Sequence, residues 1–176
     1  ASNAQWRAFA PAREGDASTD QGGCRADGHA MACTVKSDDA GGTEDAHAEA
    51  LVSDFVIELY QGEAILDGAS LRFSEILAQG KPVVLVFWAG GCPVCRREMP
   101  EIETVGAQFE DAAIVVGVDV GPYTGLGEKS DGLALIEDQG LTFPMGTTPD
   151  ASVLRDYRIT GVPTMLFFTP TGEVID

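Results

Sequence analysis

Val83-Val84-Leu85-Val86-Phe87-Trp88-Ala89-Gly90-Gly91-Cys92-Pro93-Val94-Cys95-Arg96-Arg97-Glu98-Met99-Pro100 is the stretch that decides the fold. It opens with an unbroken apolar run rich in β-branched residues, the pattern of a strand buried on both faces in a parallel sheet. Gly90 and Gly91 let the chain turn. Pro93 follows Cys92, at a position where a helix begins without losing a useful N–H. The expected order is strand, tight turn, Cys-x-x-Cys, helix.

That order carries chemistry. Cys92 falls at a helix N-terminus, where orphan N–H groups and the helix dipole favour negative charge. The thiolate is the reactive form of cysteine, and such a place favours it. Cys95 lies one helical turn on, close enough to close a small disulfide ring. Two thiols so placed pass two electrons by exchange through a mixed disulfide. A zinc site would need a second ligand pair with loop geometry, and the other cysteines, Cys24 and Cys33, lie far upstream. Arg96 rather than His follows Cys95, which excludes covalent c-type haem attachment.

The chain around this stretch has 176 residues, enough for one domain plus an extension. Its net charge of -17 argues against nucleic acid and anionic membrane surfaces as partners. No apolar run is long enough to span a bilayer. The chain starts without Met, and Ser2-Asn3-Ala4 resembles a protease-cleavage scar, so a targeting segment can have been removed.

Two regions are expected. Residues 1–50, rich in Ala, Gly, Asp, Ser and Thr, read as a flexible acidic arm that cannot bury enough surface to order itself. A short helix over Thr43–Val52 is expected at its end. Cys24 and Cys33 would give the arm local order as a structural disulfide. Two other readings stand beside it. With His29, Met31 and His47 nearby, the arm could hold copper or zinc, or the pair could exchange electrons with Cys92 and Cys95.

Residues 51–176 read as the folded domain. Strands are expected at Phe55–Leu59 and Gly62–Leu66, with the turn Asp67-Gly68 after them. A helix capped by Ser70 is expected to run to Gln79. After the central strand and the active-site helix (Pro93–Phe109), Ala113–Val120 reads as a parallel neighbour. Gly121–Gly127 reads as a surface connection, with no phosphate-loop ending. Leu133–Gln139 and Asp150–Tyr157 read as helices, and Met165–Thr169 as a strand turning through Pro170-Thr171-Gly172 into a partner at Glu173–Asp176.

Phe87–Cys95 resembles the active site of thioredoxin-fold proteins, and Arg96-Arg97-Glu98-Met99-Pro100 resembles the extracytoplasmic TlpA/ResA-like branch of thiol–disulfide oxidoreductases. Two further stretches fit the likeness: Gly140-Leu141-Thr142-Phe143-Pro144, and Tyr157-Arg158-Ile159-Thr160-Gly161-Val162-Pro163-Thr164. The resemblance implies an α/β thioredoxin-like fold with an N-terminal β-hairpin addition and a central insertion. The family's final helix has no counterpart here, so the chain is truncated or another element covers that sheet face.

The resemblance also implies an enzyme without a cofactor that exchanges electrons with protein thiols and disulfides, with a redox partner protein, outside the cytoplasm and membrane-anchored at full length. It assigns Cys92 as nucleophile and Cys95 as resolving thiol. It makes Val162-Pro163, with a cis peptide bond facing the cysteines, a backbone edge for substrate, and places Trp88, Pro93 and Val94 at the same surface. Val86 stands where thioredoxin has a buried Asp, and Pro93 directly after the first cysteine resembles glutaredoxin and DsbA. Glu98, three residues past Cys95 on one helix face, is the remaining candidate for proton transfer. Its neighbours Met99 and Pro100 suggest partial burial, and the rival reading is a solvated surface Glu. A metal chaperone holding copper through the cysteines is the alternative function. A peroxidase is disfavoured, because Ala89 stands where peroxiredoxins carry Thr.

Overall fold

The computed structural model describes residues 53–175. Within them one mixed sheet of seven strands runs β2-β1-β5-β4-β3-β6-β7. The strands are β1 (Val56–Gln61), β2 (Ser70–Arg72), β3 (Val83–Trp88), β4 (Ile114–Asp119), β5 (Met145–Thr147), β6 (Thr164–Phe168) and β7 (Val174–Ile175). β3 sits inside the sheet, parallel to β4 and antiparallel to β6. All six of its side chains are buried, which is why its sequence is apolar without alternation. β4 is buried along its whole length too, and it continues in parallel to β5.

Six helices connect these strands: α1 (Glu63–Leu66), α2 (Phe73–Leu77), α3 (Pro93–Gln108), α4 (Gly121–Thr124), α5 (Lys129–Gln139) and α6 (Val153–Asp156). They divide between two faces. On one, Cys95, Met99 and Ile102 of α3 and Leu135 and Ile136 of α5 pack on Val84, Val86 and Trp88. On the other, Phe73 and Ile76 of α2 and Val153 of α6 pack on Val83, Leu85 and Phe87. Alternate residues of β3 thus feed opposite layers. Phe55, Phe73, Tyr157 and Phe168 make edge-to-face and stacked ring contacts in the second layer. Each such large side chain contributes about 2–3 kcal/mol of burial.

The N-terminal hairpin forms, but from different residues than the sequence reading gave. β1 pairs antiparallel with β2 at Val56↔Arg72. Gly62–Leu66 is not a strand. Gly62 has φ of 93° and ends the extended chain, and Glu63–Leu66 makes one helical turn closed by Asp67 at φ of 60°. Only Leu66 of that turn is buried while Ile65 is open to solvent, so no alternation holds a strand there. Ser70 does not cap a helix either, because it pairs with Glu58. The helix starts at Phe73 and is capped from a distance. Asp54 Oδ1 accepts the Ser74 N–H at 2.9 Å, and Glu75 accepts the Arg72 N–H at 2.6 Å.

β5 is an addition to the sequence reading. Its three residues join β4 to β1, which docks the hairpin onto the sheet. α5 begins at Lys129 rather than Leu133, with Asp131 accepting the Glu128 N–H at 2.8 Å as its cap. The disulfide and metal readings of Cys24 and Cys33 and the helix over Thr43–Val52 lie outside the described residues.

Candidate active site

β3 delivers the site. Trp88 O accepts the Val120 N–H at 2.8 Å, holding the strand end against β4. The chain then turns through Ala89, Gly90 and Gly91, and the Cys92 N–H returns to Ala89 O at 3.1 Å. Gly91 has a steric reason. Its N–H donates to Leu126 O at 2.7 Å, and a Cβ there would lie 2.6 Å from that same oxygen. Gly121–Gly127 is therefore more than a surface connection, since its far end braces the turn before Cys92.

Cys92 is the N-cap of α3, with Pro93 at the first helical position. The Cys95 N–H donates to Cys92 Sγ at 3.1 Å, so a helix-terminal N–H points at the sulfur where negative charge develops when a disulfide opens. Cys92 Sγ–H in turn donates to Val162 O at 3.6 Å. The Val162–Pro163 peptide bond is cis. Both cysteines are buried free thiols. Cys95 is the deeper, at 0% exposure against 4% for Cys92. Burial, and then the hydrogen bond its own S–H donates to Cys92, push the Cys95 thiol up to about 12. It stays protonated at neutral pH.

The other sequence-predicted residues divide by exposure. Pro93 and Val94 are exposed beside Cys92, and Val162 and Pro163 are half-buried. Trp88 is a correction: its side chain is fully buried among Cys92, Cys95 and Met99, and it packs the core rather than touching a docked partner. Its Nε1–H has no partner among the described residues, an omission that costs about 1–3 kcal/mol. Glu98 is half-buried one turn beyond Cys95, and makes no hydrogen bond or ion pair among the described residues.

Sequence reading passed over Asp119. It ends β4 opposite Trp88 and is fully buried. Burial raises its carboxyl to about 6, against the lowering effect of hydrogen bonds from Gly121 and Tyr60. The signal was present: one acid in the apolar run Ile114-Val115-Val116-Gly117-Val118-Asp119-Val120. Among the described residues no cluster of His, Cys, Asp and Glu is arranged to hold a metal ion, and no helix is long and apolar enough to cross a membrane.

The chain belongs to the AhpC/TSA family, which matches residues 53–176. Its fold is thioredoxin-like, with the additions described above. It is 30% identical over 123 residues to thiol-disulfide oxidoreductase ResA of Oceanobacillus iheyensis, covering 66% of this chain and 58% of that relative. It spans 58% of that relative's length and 59% of the length of ResA from Halalkalibacterium halodurans. Among solved structures, the thioredoxin domain of a thiol-disulfide oxidoreductase from Bacteroides vulgatus superposes with a TM-score of 0.58 at 22% identity, over 72% of this chain and 84% of that one. StoA from Bacillus subtilis superposes with a TM-score of 0.56 at 22% identity, over 72% and 87%. The likeness to the TlpA/ResA branch read from the active-site residues holds.

Proposed function

We propose that the protein is a thiol–disulfide oxidoreductase that exchanges electrons with protein disulfides through Cys92 and Cys95, outside the cytoplasm. The observation that carries this reading is the asymmetry of the two thiols. Cys92 caps a helix and receives an N–H, while Cys95 is held protonated beneath it. Cys92 as thiolate attacks a substrate disulfide; the Cys92–substrate bond forms and the substrate's own S–S bond breaks. Cys95 then loses its proton and attacks Cys92 Sγ. The Cys92–Cys95 bond forms, and the substrate leaves with both thiols reduced. Oxidation of a dithiol substrate is the same sequence reversed.

Pro93, Val94, Val162 and Pro163 form the substrate surface in this reading, with the Val162 backbone beside the sulfur. Glu98 carries the proton of Cys95.

The test is trapping. Cys95→Ser should accumulate a mixed disulfide with reduced-and-oxidised insulin mixtures, and Cys92→Ser should accumulate none. A mixed disulfide formed equally well by Cys92→Ser would sink the assignment. Thiol titration with and without copper separates the alternative, since a copper chaperone would lose titratable thiols on metal addition and exchange no disulfide.

A further inference from the structure

Asp119 is fully buried, unlike any other charged side chain among the described residues. Its place is fixed by register. Trp88 pairs with Asp119 across parallel neighbouring strands, and the Trp88 side chain lies in the layer of Cys92, Cys95 and Met99. Side chains at paired positions share a sheet face, so Asp119 lies on the face that carries the dithiol. α5 roofs it. A Cβ on Gly132 would collide with Asp119 Oδ2 and come within 3.4 Å of the Trp88 ring. One residue past Trp88, Ala89 O accepts the Cys92 N–H at 3.1 Å. The carboxyl thus stands one strand spacing and one residue from the turn that carries the dithiol.

Among the described residues no cation answers this carboxyl. Oδ1 accepts the Gly121 N–H at 2.8 Å, while Oδ2 receives only a long 3.4 Å bond from Tyr60 OH. The groups around it come from every packed element. On α5, Asp131 repels it. Lys129 sits over the Tyr60 ring, 5.2 Å from the centroid, rather than on the acid. On β1, Tyr60 itself is held neutral by burial and by the charges of Asp119 and Glu58. β3 offers Trp88 and β5 offers Thr147, whose hydroxyl donates to the Asp119 backbone carbonyl at 2.9 Å. A buried ionisable group without a counter-charge weakens a fold. Buried, perturbed carboxyls of this kind cluster at functional sites.

We propose that Asp119 is the buried charge that sets the reactivity of the Cys92–Cys95 pair. Ionised, it opposes negative charge on the sulfurs and favours the disulfide; protonated, it lets the thiolate form. It acts as a positioning residue through its field, and exchanges no atom or electron with the substrate. The inference rests on the thiol–disulfide reading above. Its carboxyl titrates near 6, so the field switches on between about pH 5 and pH 7. Two charges on the order of 10 Å apart at an effective dielectric of about 20 couple by about tenfold in an equilibrium constant.

Asp119→Asn is a charge-only change, because the amide oxygen still accepts the Gly121 N–H. The experiment follows the rate of the reduced protein with dithiobis(nitrobenzoate) across pH, in wild type and D119N, both carrying Glu98→Gln so that this acid does not titrate. The variant-to-wild-type rate ratio should be near one at about pH 5 and rise to about threefold to tenfold at about pH 8, with its midpoint near pH 6. A ratio independent of pH overturns the proposal, since a merely structural role would change the rate alike at every pH. Should D119N not fold, the thiolate absorbance of the Glu98→Gln protein serves instead. An inflection near pH 6 supports the field, and a single one-proton curve overturns it. A wild-type protein that fails to exchange with insulin disulfides through Cys92 sinks the underlying reading, whatever the ratio shows.

Discussion

Gln139 donates its Nε2–H to the backbone carbonyl of Arg96, 2.5 Å away. Arg96 lies four residues before Pro100, inside α3. Proline has no N–H, so it leaves that carbonyl without its helical partner, and a side chain from α5 supplies one. Arg96 adds a 3.0 Å ion pair to Asp138, which is exposed and worth little by itself. The last turn of α5 is therefore stitched to the first turns of the active-site helix.

Gln139→Ala should lower stability by about 1 kcal/mol, the net worth of one hydrogen bond plus a carbonyl left partly unpaired. In a domain of this size the melting temperature should fall by roughly 3 °C. Pro100→Ala in the same background should recover part of the loss, because the helix then satisfies Arg96 itself. No recovery would mean that the Gln139 contact acts otherwise than through that carbonyl.

Asp119 makes stability depend on pH. Its folded-state pKa of about 6 lies above the ordinary carboxyl range, so the native state holds the proton more tightly than the unfolded chain. The unfolded chain releases it first as pH rises from about 4, and stability falls until about pH 6, then levels. The loss is on the order of 2 kcal/mol. Urea titrations should show this slope in wild type and its absence in D119N, which should be the more stable protein at pH 7. Equal slopes would place the titrating group elsewhere.

Cys92 should be alkylated before Cys95. Burial and the Cys92 hydrogen bond hold Cys95 protonated up to about 12, and its side chain is fully covered. Limiting iodoacetamide on the reduced protein at pH 7 should label Cys92 by at least about tenfold over Cys95, because the thiolate is the reactive form and Cys95 is held as the covered thiol. Preferential label on Cys95 would reverse the two roles.

Glu98→Gln should slow disulfide exchange by about tenfold or more, the low end of what a positioned acid or base contributes. The side chain is half-buried one turn from Cys95, and the amide keeps its shape. Stopped-flow mixing with an oxidised peptide measures the rate. An unchanged rate would make Glu98 a surface residue and water the proton carrier.

The central strand, the turn and the cysteine-headed helix were legible in the sequence because their causes are local. An unbroken β-branched run has to be buried on both faces, two glycines turn the chain, and Pro93 starts a helix behind Cys92. Where causes are not local, sequence reading failed. The cap of α2 is Asp54, 20 residues before Ser74, whose N–H it accepts, so Ser70 looked like the cap and became strand. Gly62–Leu66 has strand composition, but only the backbone turn at Gly62 decides that it is a helix. β5 is three residues with a glycine at its centre, and pairing on both edges makes it a strand. Asp119 is the clearest case. Its identity is written in the chain, but its chemistry comes from Trp88 beside it, Gly132 over it and Tyr60 at its far oxygen. A carboxyl's proton affinity depends on what excludes water from it, and three segments distant in sequence have to meet before that is decided.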